Sequence, residues 1–218
     1  MSQSFSEQER AAVYRAIRER RDMRHFADEP LAPEVLERLL QAAHQAPSVG
    51  LMQPWRFIRI TRPALRRKIR GLIEQERQAT AKALDERESE FLRLKVEGVD
   101  RCAELLVVAL MDQREQHIFG RRTLPEMDLA SVACAIQNLS LAARAEGIGV
   151  GWVSLFDPDA MGALLKMPEG SKAVAVLCIG PVDKFYEIPM LEQEGWASAV
   201  PLTELLAENV WPGAGHRE

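Results

Sequence analysis

The sequence predicts a layered α/β or α+β domain in which helices and strands alternate along the chain. Three observations carry that prediction. Four short apolar runs, at 55–60, 103–110, 150–154 and 173–180, read as strands. Longer segments between them repeat their apolar residues at the helical spacing of three and four. At 218 residues, 47% hydrophobic and 28% charged, the chain can bury one core with peripheral extensions.

The elements follow in order. Ser6 and Glu9 have capping-box spacing, and Ala12, Val13, Ala16 and Ile17 continue a helix to about Arg20. Pro30 and Pro33 bracket a turn, and Pro33 suits the first position of a second helix. Val35, Leu36, Leu39, Leu40 and Ala43 are its apolar face, and Pro47 requires it to stop by Ala46. The strand 55–60 comes next. Residues 63–95 are helical in pattern but heavily charged, and 74–90 has little apolar stripe. An exposed hairpin or lid over about 74–100 and a plain solvated helix both fit that composition.

After the strand 103–110 a polar loop covers 112–125. The helix 128–146 carries Leu129, Val132, Ala133, Ile136, Leu139, Leu141 and Ala143 nearly all round, which predicts burial on several sides, partly under a second subunit. Gly147 is its stop. Asp157 and Pro158 open a short helix as cap and first position. The tail 189–218 holds Trp196, Leu202, Leu205, Leu206 and Trp211, too apolar to run free, so it is expected to pack over the core or a partner subunit.

A formal net charge of -4 argues against a general nucleic-acid partner. No apolar run reaches the length of a membrane span, and residues 1–6 lack the pattern of a secretory signal. Cys102, Cys134 and Cys178 are odd in number and sit in apolar runs, and His25, His44, His117 and His216 show no ligand spacing. These features predict core thiols, a reduced cytoplasm and no metal.

The chemistry-bearing residues fall in two runs. Arg20, Arg21, Asp22, Met23 and Arg24 put three guanidinium groups and one carboxylate just past a helix. The cluster is either a solvated helix end, where cations are favoured, or an anion site, since guanidinium pairs phosphate through two bonds. Downstream, Ser48 offers a hydroxyl, Gly50 permits close backbone approach, and Gln53 can donate to and accept from the polar edge of a flavin. The two runs are expected to enclose one anionic, flat, aromatic ligand. Gly147, Gly149 and Gly151 fail the G-x-G-x-x-G spacing and lie between a helix and a strand, the wrong order for a dinucleotide fingerprint. No P-loop motif and no G-x-S-x-G elbow is present.

Arg20 to Arg24, the run Ala46, Pro47, Ser48 with Gln53, Pro54, Trp55, and Gly147 to Trp152 together resemble the FMN-dependent nitroreductase superfamily over nearly the whole chain. Within it, residues 42–55, 94–98 and 151–154 look like the 5,6-dimethylbenzimidazole synthase branch, sometimes called flavin destructase. The resemblance implies a three-layer α/β/α domain over 1–218 with a central mixed sheet, a lid, a C-terminal extension and homodimer assembly. It also implies cobalamin lower-ligand chemistry. Reduced FMN is the substrate and molecular oxygen the co-substrate. Oxygen adds to the isoalloxazine, which is fragmented to 5,6-dimethylbenzimidazole and erythrose 4-phosphate. A separate flavin reductase supplies the reduced FMN.

By the same resemblance Asp22 and Ser154 are catalytic, and Arg20, Arg21, Asp22, Met23, Arg24, Ser48, Gln53, Leu94 and Leu155 contact the flavin. Ordinary nitroreductases usually carry Ser where this chain has Asp22, and Asn near Gly50. Asp22 beside the ribityl C1′ could act as general base, with the flanking arginines expected to keep it ionised. Ser154 could relay protons. The same residues also admit plainer roles: an arginine-pairing carboxylate, a strand-end hydroxyl, and core packing for Leu94 and Leu155. The rival activity is an NAD(P)H-dependent FMN nitroreductase or quinone reductase, and a non-enzymatic flavin-binding scaffold is a third possibility.

Overall fold

The computed structural model describes residues 4–94 and 98–211. Positions 95–97 of the synthase-like run and His216 lie outside the described residues.

Helix α1 spans Glu7–Glu19, and the Ser6–Glu9 capping box forms as predicted. Helix α2 is Pro33–His44 with proline at its start. Strand β1, Trp55–Arg59, leads into α3, Pro63–Ala83, and a short return helix α4, Glu88–Arg93. Strand β2 is Glu104–Leu110, α5 is Met127–Ala145 and β3 is Ile148–Val153. Gly147 at φ 75° turns the chain between α5 and β3, a conformation that favours glycine. Helix α6, Pro158–Leu165, starts with Asp157 accepting the Ala160 N–H at 2.7 Å. Strand β4, Lys172–Pro181, precedes two short tail helices, α7 Met190–Gln193 and α8 Leu202–Leu205.

The strand order is β1-β2-β4-β3, antiparallel throughout. The mixed character expected of the sheet is confined to one isolated parallel bridge, Asp22 to Val150, on β3. Alternation along β2 sends Leu106, Val108 and Leu110 into a core shared with α2 and α5, while Leu105 and Val107 enter a second core with α3 and α6. The three layers follow from that alternation. Pairing jumps from Val108–Ala175 to Ala109–Ala173, leaving Val174 as an extra residue.

The charged middle of α3 is helix to Ala83, followed by a tight return. Ile69, Ile73 and Ala81 are buried in one row of four-residue spacing, and the half-buried Arg77 fills the remaining position between Ile73 and Ala81. The arginine stem lies in the row while its Nη2 donates to Leu92 O at 2.6 Å. The stripe was invisible in sequence because a charged residue occupies one of its positions. Helix α5 buries Ser131, Val132, Ala135, Ile136, Leu139, Ser140 and Ala143, but leaves Leu129 and Cys134 exposed. Asp128 at its start is buried between Arg114 and Arg121, which ties the 112–125 loop to the helix.

Candidate active site

The site begins where α1 ends. Arg20 adopts extended geometry, and the next residues run beside β3. Met23 N–H donates to Val150 O at 2.9 Å, and the Met23 side chain is fully buried in the second core. This anchoring needs Gly151, where a Cβ would lie 2.2 Å from Met23 O. In an extended segment neighbours alternate, so burying Met23 leaves Asp22 and Arg24 on the other side.

Asp22 is held at both oxygens. Trp152 N–H donates to Oδ1 at 2.6 Å, and Arg24 Nη2 bonds Oδ2. Arg24 Nη2 also donates to Trp152 O at 2.9 Å. Behind them, Arg24 N–H donates to the Tyr186 hydroxyl at 3.2 Å, and that hydroxyl lies 2.6 Å from His25 Nδ1. Neither Tyr186 nor His25 stood out in sequence, because the contact joins residues more than 160 positions apart.

At Asp22 burial opposes the arginines. Its carboxyl is pushed above the ordinary value of 3.8, because burial outweighs the Arg24 charge, the Trp152 hydrogen bond and the Arg20 charge. Its side chain keeps 43% of its surface open, so the desolvation comes from cavity walls around it rather than from core packing.

The cavity has a volume of about 550 Å³. Ile17, Arg18, Arg20, Arg21, Asp22 and Arg24 form one wall, and Trp152, Val153, Ser154 and Leu155 at the end of β3 form another. Phe91 and Leu94 come from α4 and its end, and Pro189, Met190, Leu191 and Trp196 come from the tail. One side is cationic and the other apolar and aromatic, which suits a ligand with an anionic end and a flat ring. Arg24 Nε and Nη1 and Arg21 Nε are buried without hydrogen-bond partners, as are Arg77 Nε and Arg121 Nε away from the cavity. The rest of the Arg21 guanidinium is committed to carbonyls of Arg18, Arg20 and Glu187.

The structure therefore brings Arg20, Arg21, Asp22, Arg24, Ser154, Leu94 and Leu155 together in one cavity. It does not bring the others. Met23 faces the core. Ser48 and Gln53 lie away from this cavity: Val49 N–H donates to Ser131 Oγ at the start of α5, while Arg144 near its end bonds Glu19. Those two points are about 20 Å apart along the helix. Within a single chain the two runs are therefore not brought together. Ser48 Oγ accepts the Gln53 N–H at 3.0 Å, and Gly50, Leu51 and Gln53 all have positive φ, so the loop is held in an unusual shape. Phe91, Leu191 and Trp196 were missed as lining residues, since they read as ordinary apolar residues on a helix and a tail.

The layered fold and the cavity at the edge of its sheet agree with a family assignment: the nitroreductase family model matches residues 17–181, and the chain belongs to that family. It is similar to the 5,6-dimethylbenzimidazole synthase of Rhodospirillum rubrum, 44% identical over 188 residues, covering 84% of this chain and 87% of the relative. It is also similar to the 5,6-dimethylbenzimidazole synthase of Rhodobacter capsulatus, 38% identical over 200 residues, covering 91% of this chain and 97% of the relative. Among solved structures, a BluB-like flavoprotein from Clostridium difficile 630 shares the fold at TM-score 0.68 and 20% identity, covering 94% of this chain and 99% of that one. Among the described residues no helix is long and apolar enough to cross a membrane, and no group of three or more His, Cys, Asp or Glu could hold a metal ion.

Proposed function

We propose that this chain fragments reduced FMN with molecular oxygen, giving 5,6-dimethylbenzimidazole and erythrose 4-phosphate for the cobalamin lower ligand. The observation that carries the reading is the carboxylate of Asp22, fixed by Trp152 N–H and Arg24 in a cavity that also holds Ser154. A hydride shuttle between nicotinamide and flavin has no evident need for a carboxylate there. The two synthase relatives at 44% and 38% identity support it.

Bound FMN supplies the ring that reacts with oxygen and the ribityl carbon that loses a proton. Asp22 is the base for that proton at C1′. A pKa raised by burial improves it as a base, bringing it nearer the working pH. Ser154 holds or relays a proton at the end of β3. The charges of Arg20 and Arg24, both lining the cavity, neutralise anionic groups of the flavin, while Arg21 ties the 20–24 segment to the tail through Glu187 O. Leu94 and Leu155 pack on the ring.

The chain acts as one domain with a lid, formed by α4 and its flanks, and a C-terminal extension. Residues of α4 and of the tail both line the cavity, and a lid closed over the flavin would exclude a nicotinamide while still admitting oxygen. The active species is a homodimer. Helix α1 buries none of its residues and exposes Val13, Tyr14 and Ile17, and the tail exposes Leu202, Leu205, Leu206 and Trp211. A second copy covers these surfaces and brings its Ser48 and Gln53 to the cavity. A separate cytoplasmic reductase supplies reduced FMN.

The test is aerobic incubation of the purified protein with chemically reduced FMN. The flavin is consumed and benzimidazole released. Quantitative recovery of oxidised FMN without benzimidazole defeats the reading.

A further inference from the structure

The lid has a small core of its own. Ala81, Phe91 and Leu94 are buried together, with Leu84 and Leu92 packed on them. Two members of this cluster come from elsewhere, Leu155 and Trp196. Arg77 Nη2 to Leu92 O stays within the α3–α4 unit. Helix α3 is anchored in the second core through Ile69 and Ile73, so within this unit it is α4 that has a core separate from those against the sheet. Besides α3, this cluster brings α4 against Leu155, on the scaffold beside Ser154, and Trp196, on the tail.

Trp196 makes three contacts with α4 and the turn before it. Arg87 stacks over its indole, with the guanidinium carbon 3.6 Å from the ring centroid. Arg87 Nη2 donates to Trp196 O at 3.0 Å. The Phe91 ring is 6.1 Å from the indole between centroids. The tail presents the indole by local structure: Gly195 at φ 71° reverses the chain after α7, and Trp196 N–H closes on Leu191 O at 2.8 Å. Phe91, Leu191 and Trp196 all line the cavity.

We propose that Trp196 is a positioning residue that sets what the cavity admits, latching α4 shut over a flavin and against a nicotinamide dinucleotide. The latch rests on reading the cavity as the flavin site. Opening it requires separating Arg87 and Phe91 from the indole in one movement; loss of the indole removes both ring contacts, leaves the Arg87 bond to Trp196 O, and so loosens the lid whatever the chemistry at Asp22.

The experiment compares wild type with Trp196→Ala, Trp196→Phe and Arg87→Ala. FMN release is followed by stopped-flow fluorescence, and anaerobic reduction of protein-bound FMN by NADPH by absorbance. Trp196→Ala should release FMN about tenfold faster, the scale of one lost cation–π and one aromatic contact, and should allow NADPH to reduce the bound flavin. Trp196→Phe should remain near wild type, and Arg87→Ala should fall between. Release from Trp196→Ala at the wild-type rate, equal acceleration in Trp196→Phe, or no NADPH reduction in Trp196→Ala would each overturn the latch. Both assays are independent of benzimidazole formation. A wild-type protein that binds no FMN would instead overturn the flavin reading of the cavity, and the latch with it.

Discussion

Trp152 and Asp22, 130 positions apart, are joined by a 2.6 Å hydrogen bond from the Trp152 N–H to Asp22 Oδ1. The bond comes from backbone, so it fixes the carboxylate to the edge of the sheet rather than to a mobile side chain. Arg24 holds the other oxygen, and the group is oriented before any ligand arrives.

Asp22→Asn separates orientation from basicity. The amide keeps an acceptor for Trp152 N–H but cannot take a proton. FMN affinity, measured by fluorescence quenching, should stay within a few-fold of wild type. Benzimidazole formation should fall by roughly 10²–10⁴, the usual contribution of a general base. Normal turnover by Asp22→Asn would remove Asp22 from the role.

The pH dependence follows from burial. Because the Asp22 pKa is raised above 3.8, the acidic limb of the rate profile should lie above the ordinary carboxylate range. Arg24→Gln removes a charge that lowers that pKa, so it should move the limb to higher pH. The stability effect has the opposite sign to a salt-bridged carboxylate. The folded state binds the proton more tightly, so stability falls as pH rises from the unfolded pKa through the raised folded one. At neutral pH Asp22→Asn should therefore melt no lower than wild type, by calorimetry.

Gly151→Ala tests the close approach that places the 22–24 segment. The new methyl would meet Met23 O at 2.2 Å, and backbone cannot yield as a flexible side chain does. A loss of about 1–3 kcal/mol or more is expected from overpacking, read by denaturant unfolding. Product formation should fall too, since displacing Met23 displaces Asp22.

Subunit sharing of the site has a specific signature. Asp22→Asn and Gln53→Ala homodimers should each be weak in product formation. Unfolding and refolding them together gives mixed dimers in which one of the two sites carries both native residues. Random assembly should restore about a quarter of wild-type activity by two-fold symmetry. No recovery, with mixed dimers verified by mass spectrometry, would place Ser48 and Gln53 outside the site.

Much of this protein was legible in its residues. Ser6 and Glu9, Pro33, Gly147 and Asp157–Pro158 marked helix ends because capping is chemistry between near neighbours. The four strands were legible because burial on a sheet demands continuous apolar residues. The helical row through Arg77 was not, because a long side chain can bury its stem and keep its charge in a hydrogen bond.

By itself the sequence determined the layered fold, the helix ends marked by caps, prolines and Gly147, and the arginine–aspartate cluster, since each depends on residue type and short spacing; it did not mark the break of 63–95 into α3 and α4. Tertiary structure alone decided that burial rather than the arginines governs the Asp22 proton. It also decided that Trp196 and Phe91 line the cavity, and that the Ser48–Gln53 loop lies toward the other end of α5 from it. Those outcomes depend on which distant surfaces come together and how much water they exclude, and no spacing along the chain encodes either quantity locally.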